Sequence, residues 1–198
     1  MRAIVCEEFG PVADLRLVER ESAPLDPGDV RVAVSACGVN YVDGLFVQGR
    51  YQIRPPVPFT PGMEVVGRIV EVGSEVSDRS MGDRVFVNVG LGGYVSEVVV
   101  GAGRTMVLPE SISDGQAATF MQSYLTGWFA LRQRADVSAG QSILVLGAGG
   151  GVGLAAVDIA STLGLRVIAA ASTEEKRELA ISRGAESVID SVNEDVKE

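Results

Sequence analysis

The residues with the clearest functional pattern are the glycines between residues 147 and 153, whose backbone could bind a ligand. Five of these seven residues are glycine. They follow the apolar run 143–146, which is typical of a strand buried on both faces of a parallel sheet, and precede apolar residues at helical spacing over 152–163. A glycine-rich turn between a strand and a helix lets backbone N–H groups and the positive end of the helix dipole meet a phosphate. The pattern predicts a dinucleotide-binding turn.

The spacing of these glycines departs from the strict dinucleotide fingerprint. G-x-G-x-x-G fails from Gly147 and from Gly149, because valine and leucine occupy the last position. The related spacing A-x-G-x-x-G fits from Ala148 to Gly153. A turn that binds no ligand is the alternative. The apolar run 166–171 favours nucleotide binding, because it completes a βαβ unit.

The residues after this second strand bear on the type of cofactor. An NAD site would have Asp or Glu about twenty residues past the last glycine, to bind the ribose 2′-hydroxyl. This sequence has Ser172-Thr-Glu-Glu-Lys176 instead. The neutral Ser172 and the cationic Lys176 suit a 2′-phosphate, whereas Glu174 and Glu175 would favour NAD if they pointed inward. We expect NADPH rather than NADH.

The elements that must position this turn fall into two groups. Short β-rich runs punctuated by Gly and Pro, with a short helix at 40–48 and a proline-rich loop at 50–61, predict a compact β-barrel-like domain. The runs are 2–6, 15–20, 29–36, 64–72, 84–89 and 94–100. Residues 113–134 are expected to be helical, with Ser113 as N-cap and Gly127 as a weak point. A β-α-β-α-β pattern follows from residue 142, so the fold class is α/β.

The composition excludes several classes of function. A formal net charge of −9 argues against nucleic acid or an anionic membrane as partner. Two cysteines are too few for a disulfide framework, and acidic residues near the N-terminus argue against a signal peptide. We therefore expect a cytoplasmic protein. The absence of histidine removes the commonest general base and the commonest metal ligand.

Five sequence blocks, taken in order, resemble the medium-chain dehydrogenase/reductase superfamily, and within it the zinc-independent quinone oxidoreductase (zeta-crystallin-like) branch. They are Ala36–Asp43, Thr60–Glu64, Gly82–Val85, Gly92–Tyr94 and Gly147–Gly153. The resemblance covers the whole chain. It implies a GroES-like β-barrel catalytic domain over 1–122, followed over 123–198 by the N-terminal half of a Rossmann-type nucleotide-binding domain whose second half is absent.

The resemblance also bears on metal binding. Asn40 and Met63 stand where zinc-dependent relatives have cysteine and histidine. A catalytic zinc needs about three N, S or O ligands from the protein, and these two residues are poor ligands. Cys37 lies three residues off the ligand register and is interpreted as a small buried residue. Asp43 and Glu64 are interpreted as structural. No catalytic metal is expected.

The catalytic residues implied by the resemblance are Asn40 and Tyr51. Asn40 and Thr126 would lie beside the ribose and amide of the nicotinamide. The alternative to these functional roles is structural: Asn40 would cap the following short helix, and Thr126 would be a helix residue without a role in binding. Tyr51 matches a tyrosine that lines the substrate cleft, and its alternative is a loop aromatic covering the barrel. Leu45 replaces a second family tyrosine, and Tyr41 is a candidate substitute.

The cofactor-binding residues are also implied by the resemblance. Besides Thr126, they are Gly150, Gly151, Val152, Gly153, Ser172 and Lys176. A family tyrosine that closes over the adenosine 2′-phosphate corresponds to Ser191, which departs from the family pattern.

The expected function is NADPH-dependent, zinc-independent reduction of quinones or related activated carbonyl and enone compounds. An enoyl-thioester reductase and a non-catalytic nucleotide-binding protein remain as alternatives. The partner is a small-molecule substrate, with no nucleic acid and no membrane. The chain is expected to be either such an enzyme or the N-terminal portion of one. The resemblance implies a homodimer for a complete chain, whereas this one lacks the strand that relatives use to dimerise.

Overall fold

The computed structural model describes residues 1–195, which fold into two compact units. Residues 1–119 form the first unit, and the second begins at Phe120, inside the helix Asp114–Trp128. Among the described residues, every helix is too short or too polar to cross a membrane. A functional division after residue 122 stays a prediction from the sequence.

The first unit is built on antiparallel strands. They are β1 (Arg2–Val5), β2 (Arg16–Glu19), β3 (Asp29–Cys37), β4 (Glu64–Val72), β5 (Arg84–Asn88), β6 (Glu97–Gly101) and β7 (Thr105–Val107), with helix α1 (Tyr41–Val47) and single 3₁₀ turns at Val12–Asp14 and Ala102–Arg104. Strands β1 and β2 pair with each other, and the other five form one sheet in the order β6-β3-β4-β5-β7. The predicted β-rich domain is confirmed, while β7 was not predicted.

The core of this sheet follows from the alternation of valines along the strands. Val30 and Val32 of β3 are fully buried, and the residues beside them in sequence are partly exposed. In a strand, successive side chains point to opposite faces, so this pattern puts one face of β3 into the core. Val65, Val85 and Val87 of the neighbouring strands are buried against it. The core thus forms where three adjacent strands turn the same face inward.

Arg84 clamps the segment that leads out of β7. Its side chain is 6% exposed. The guanidinium donates from Nε to Asp114 Oδ1 at 2.7 Å, and from its terminal nitrogens to the carbonyl oxygens of Pro109, at 2.9 Å, and Ile112, at 2.5 Å. A planar guanidinium offers donors in fixed directions, so it can hold three acceptors at once. The segment from Pro109 to Asp114 is therefore fixed to β5.

The bonds to Asp114 make the first unit sensitive to acid. The neighbouring Ser35 hydroxyl and Arg84 guanidinium hold the pKa of Asp114 below its ordinary value. A carboxyl whose pKa falls on folding stabilises the protein above its unfolded pKa, about 4, and loses that contribution as the pH falls further. We expect Asp114→Asn to flatten the loss of stability between about pH 5 and pH 2, measured by urea unfolding. An unchanged acid dependence would contradict this account.

The second unit contains the predicted β-α-β-α-β pattern. After helix α2 (Asp114–Trp128) and a π-helical stretch, Phe129–Arg134, the chain forms β8 (Ser142–Leu146), α3 (Gly151–Thr162), β9 (Arg166–Ala171), α4 (Glu174–Ser182) and β10 (Ser187–Asp190). The strands are parallel, in the order β10-β9-β8. Ser113 caps α2 as predicted: its hydroxyl accepts from the Gln116 N–H at 3.3 Å, and Gln116 Oε1 accepts from the Ser113 N–H.

Gly127, expected to be a weak point of α2, also has a packing role. A Cβ at this position would lie 3.2 Å from Ile159 Cδ1 and 3.4 Å from the backbone nitrogen of Ala156. The missing side chain lets α2 pass close to α3 within the second unit. Tyr124, one turn earlier, donates from its hydroxyl to Asp158 Oδ2 at 2.6 Å. This contact and the close approach at Gly127 hold the end of α2 against α3.

Candidate functional site

The turn between β8 and α3 needs glycine for reasons of geometry. Gly147 has a φ of +62°, a conformation that favours glycine. The turn closes with a hydrogen bond of 2.9 Å from the Gly150 N–H to the Gly147 carbonyl. A Cβ on Gly153 would lie 2.3 Å from that same carbonyl oxygen. The first turn of α3 therefore packs directly on the backbone of the glycine turn, as the predicted dinucleotide site requires.

The N-terminus of α3 presents donors that the protein leaves unused. Gly150 is the N-cap residue and provides no side-chain cap. In the described part of the chain, the backbone N–H groups of Gly151, Val152 and Gly153 have no acceptor. The first N–H groups of a helix need partners from outside it, and a phosphate oxygen is a suitable one. The turn therefore fits a pyrophosphate group.

Lys176 lies beside this turn. A Cβ on Gly149 would come within 2.5 Å of the Cβ and Cγ atoms of Lys176, so the lysine stem crosses the backbone of the glycine. Ser172, directly after β9, is exposed, as are Glu174 and Glu175 in the first turn of α4. The structure thus brings Lys176, predicted from sequence to bind a 2′-phosphate, together with the glycine turn.

Thr126 and Ser123 are on the stretch of α2 that meets α3. Thr126 is exposed, and its hydroxyl donates to the Gln122 carbonyl at 2.6 Å, an ordinary bond for a helical threonine. A role for Thr126 beside the nicotinamide stays a prediction. Ser123 was not predicted: its Oγ lies 3.0 Å from where a Cβ on Gly151 would be, at the start of α3.

Asn40, in the first unit, is held by two buried carboxylates. Its backbone N–H donates to Asp43 Oδ2 at 2.8 Å, and its side-chain Nδ2 donates to Glu64 Oε1 at 3.1 Å. Asp43 is 3% exposed and Glu64 is 1% exposed. Asn40 is the N-cap residue of α1, and Asp43 is the third residue of that helix. Asn40 therefore caps α1, as the alternative had it, and its side-chain amide also donates to Glu64.

Cys37 is close to the same carboxylates. Burial, together with the charges of Asp43 and Glu64, raises the pKa of its thiol to about 12. The thiolate is the nucleophilic and metal-binding form of cysteine. A thiol that keeps its proton at neutral pH suits the interpretation of Cys37 as a packing residue.

The described residues include no group of three or more Cys, Asp or Glu side chains arranged to hold a metal ion. Met63 is part of the apolar packing around Phe46 and Phe59. That the protein works without zinc stays a prediction.

A cavity of about 490 Å³ opens beside Asn40. Leu15, Leu45 and Tyr94 line it, together with the exposed Tyr41. Its wall is mostly apolar with a few polar groups, the usual composition of a small-molecule site. Leu45, the residue that replaces a family tyrosine, therefore adjoins Asn40.

Tyr51 is not among the residues that line this cavity and packs on Phe46. Its ring lies 4.7 Å from the ring of Phe46 at an interplanar angle of 55°. Its hydroxyl accepts from Gln52 Nε2 at 3.5 Å, a long contact. The structure shows the packing role given as the alternative for Tyr51, and a role in the substrate cleft stays a prediction.

Two family models match the chain. The alcohol dehydrogenase GroES-like domain matches residues 26–126, and the model described as zinc-binding dehydrogenase matches residues 151–198. The second segment contains no cysteine and no histidine. The match to a model described as zinc-binding therefore does not place a cysteine or histidine zinc ligand in this segment.

Proteins similar to this chain include quinone oxidoreductases. Quinone oxidoreductase-like protein 2 from Bos taurus is 40% identical over 198 residues, covering 100% of this chain and 56% of that protein. Quinone oxidoreductase from Homo sapiens is 40% identical over 191 residues, 95% of this chain and 58% of that protein. The crystal structure of Escherichia coli quinone oxidoreductase complexed with NADPH has a TM-score of 0.91 at 32% identity, covering 99% of this chain and 60% of that chain.

A GroES-like sheet in one unit, followed in sequence by a βαβ unit with a glycine turn, is typical of the medium-chain dehydrogenase/reductase fold. The chain belongs to the alcohol dehydrogenase GroES-like domain family, and its relatives in the medium-chain dehydrogenase/reductase superfamily include quinone oxidoreductases. The predicted family and fold class are confirmed. The chain spans a little over half the length of the curated relatives described above.

Proposed function

We propose that the protein is an NADPH-dependent oxidoreductase that reduces quinones or related activated carbonyl and enone compounds. The observation that carries the proposal is the glycine turn at 147–153, with three backbone donors lacking acceptors and Lys176 beside it. The quinone oxidoreductases among the relatives, one of them complexed with NADPH, support the same activity. The chain spans only part of the length of these relatives, so we also propose that these 198 residues are active by themselves.

In this proposal the phosphate groups of the cofactor are held by residues of the second unit. The N–H groups of Gly151, Val152 and Gly153 donate to the pyrophosphate at the start of α3. Lys176 and Ser172 bind the 2′-phosphate of the adenosine ribose. A charge-assisted hydrogen bond is worth about 1.5–3 kcal/mol, so Lys176 alone favours NADPH over NADH by roughly tenfold or more.

Bound NADPH supplies the hydride, and the protein supplies position and polarity. Asn40 orients the nicotinamide end. A carboxylate can only accept hydrogen bonds, so the contact with Glu64 fixes the Nδ2 end of the Asn40 amide on the Glu64 side and the Oδ1 end on the other. The apolar wall around Leu15 and Leu45 excludes water from the substrate. No side-chain acid is obligatory in this scheme, because the anion formed by hydride transfer takes its proton from solvent as the product leaves.

Two other functions remain as outcomes of one assay. An enoyl-thioester reductase would use the same cofactor site, and a nucleotide-binding protein without activity would use it alone. We expect NADPH to be oxidised with a quinone and more slowly with an enoyl thioester. Faster oxidation of NADPH with the thioester would identify an enoyl-thioester reductase. If NADPH is oxidised with neither substrate, the proposed activity is contradicted.

Asn40 is expected to matter more to turnover than Tyr51. Replacing Asn40 by alanine removes the side chain that Glu64 orients, whereas Tyr51→Phe removes a hydroxyl with only a long contact. We expect Asn40→Ala to lower kcat at least about tenfold more than Tyr51→Phe does, as measured with NADPH and a quinone. A Tyr51→Phe variant that folds and binds NADPH but has no activity would show that Tyr51 is the proton donor.

We also propose a cytoplasmic location and a homodimeric state for the complete enzyme. The negative net charge and the two free cysteines support the cytoplasm. Size-exclusion chromatography with light scattering on a complete chain tests the oligomeric state, and a monomer at micromolar concentration would contradict it.

A further inference from the structure

Tyr94 occupies a fixed position in the first unit. Its backbone N–H donates to the Pro61 carbonyl at 2.9 Å, and its carbonyl accepts from the Ile4 N–H at 2.9 Å. Its ring lies against Gly62, where a Cβ would come within 2.5 Å of the ring atom Cδ1. Gly62 has a φ of +92°, so the site favours glycine for its conformation as well. Both the backbone and the ring of Tyr94 are therefore held in place.

The hydroxyl of Tyr94 reaches the carboxylate that anchors Asn40. It donates to Asp43 Oδ2 at 3.0 Å, and this same oxygen accepts the Asn40 backbone N–H at 2.8 Å. The other oxygen, Oδ1, accepts the Gly62 N–H at 3.3 Å. The orientation of the buried carboxylate is thus set by three donors, one of which is the tyrosine.

Tyr94 can serve as a donor throughout the neutral range. Burial raises the pKa of its hydroxyl above the ordinary value, and the neighbouring Asp43 raises it further. The phenol keeps its proton, and Asp43 receives a steady hydrogen bond. Tyr94 also lines the cavity beside Asn40.

We propose that Tyr94 is a positioning residue for Asn40, acting through Asp43 Oδ2. The role of Asn40 in turnover rests on the proposed function. The placement of Asn40 by Tyr94 rests on the hydrogen bonds alone. Without the hydroxyl, Asp43 keeps two of its three donors and is held less tightly, so the acceptor of the Asn40 N–H shifts and the side-chain amide moves relative to Glu64.

Tyr94→Phe tests this arrangement in the 198-residue chain. We expect the side-chain amide signals of Asn40, assigned in ¹H–¹⁵N spectra by their loss in Asn40→Asp, to shift in this variant. Tyr124→Phe is the matched control, because it also removes a tyrosine hydroxyl that donates to a carboxylate. The Asn40 signals are expected to stay in place in that control. Equal shifts in both variants, or none in Tyr94→Phe, would overturn the proposal.

Kinetics add a readout that a general loss of stability would not give. In the NADPH–quinone assay, Tyr94→Phe should lower kcat roughly tenfold and leave KM for the quinone within about twofold. In a protein that already carries Asp43→Asn, Tyr94→Phe should lower kcat little further, because both substitutions act on Asn40 through the Asp43 carboxylate. Additive effects would overturn the route through Asp43. If the unmodified chain oxidises no NADPH, the proposed function fails, and the Asn40 signals still decide the role of Tyr94.

Discussion

Gly153→Ala should destroy the nucleotide site. The new Cβ would lie 2.3 Å from the Gly147 carbonyl oxygen and 2.8 Å from its carbon. Both contacts are with backbone, so relief requires moving the first turn of α3 away from the glycine turn. We expect the free energy of unfolding to fall by about 3 kcal/mol and NADPH affinity to fall roughly 100-fold or more. Chemical denaturation and calorimetry measure the two effects.

Gly150→Ala is the matched control for stability. A Cβ at Gly150 would lie 3.4 Å from the same carbonyl oxygen, an ordinary contact, and the φ of −88° suits alanine. Its free energy of unfolding should stay within about 1 kcal/mol of the unmodified chain. A Gly153→Ala protein as stable as Gly150→Ala would mean that α3 is not packed on the glycine turn as described.

Arg84→Met is expected to destabilise the first unit by about 3 kcal/mol, measured by chemical denaturation. Methionine keeps much of the apolar stem and removes every donor, so two backbone carbonyls and the Asp114 carboxylate lose a nearly buried partner. Breaking such a set costs more than the net worth of the bonds, because the acceptors stay without replacement.

Arg68→Met provides the comparison for that prediction. Arg68 faces Arg84 in the register of β4 and β5. Its side chain is 56% exposed, and its ion pair with Glu110 spans 3.6 Å. Surface pairs of this kind contribute about 0–1 kcal/mol. If Arg84→Met and Arg68→Met lower the free energy of unfolding equally, the buried hydrogen bonds of Arg84 do not stabilise the first unit as described.

The elements of the second unit could be predicted because their signals are local. The strand, glycine turn and helix occupy about twenty consecutive residues, and the spacing of glycines and apolar residues identifies each of them. Ser113 as N-cap follows from residues three apart. Strand β7 has three residues, too few to show an alternation, and pairs with β5 only in the folded sheet.

The candidate site of the first unit could be predicted only in part. The motif around Asn40 was visible, and the contact with Glu64 was not, because the two residues are 24 positions apart. Tyr94 and Asp43 are separated by 51 positions, and nothing in the spacing of the sequence joins them. Long-range contacts of this kind are set by the strand order of the sheet.

Nucleotide binding by the 198-residue chain tests the central claim most directly. Calorimetry with adenosine 2′,5′-bisphosphate and with AMP separates the glycine turn from the 2′-phosphate contact. We expect the bisphosphate to bind roughly tenfold or more tightly than AMP, and Lys176→Ala to remove this preference while leaving AMP binding unchanged. Equal affinity for the two ligands would contradict the NADPH assignment, and no binding of either would contradict a nucleotide site at the glycine turn.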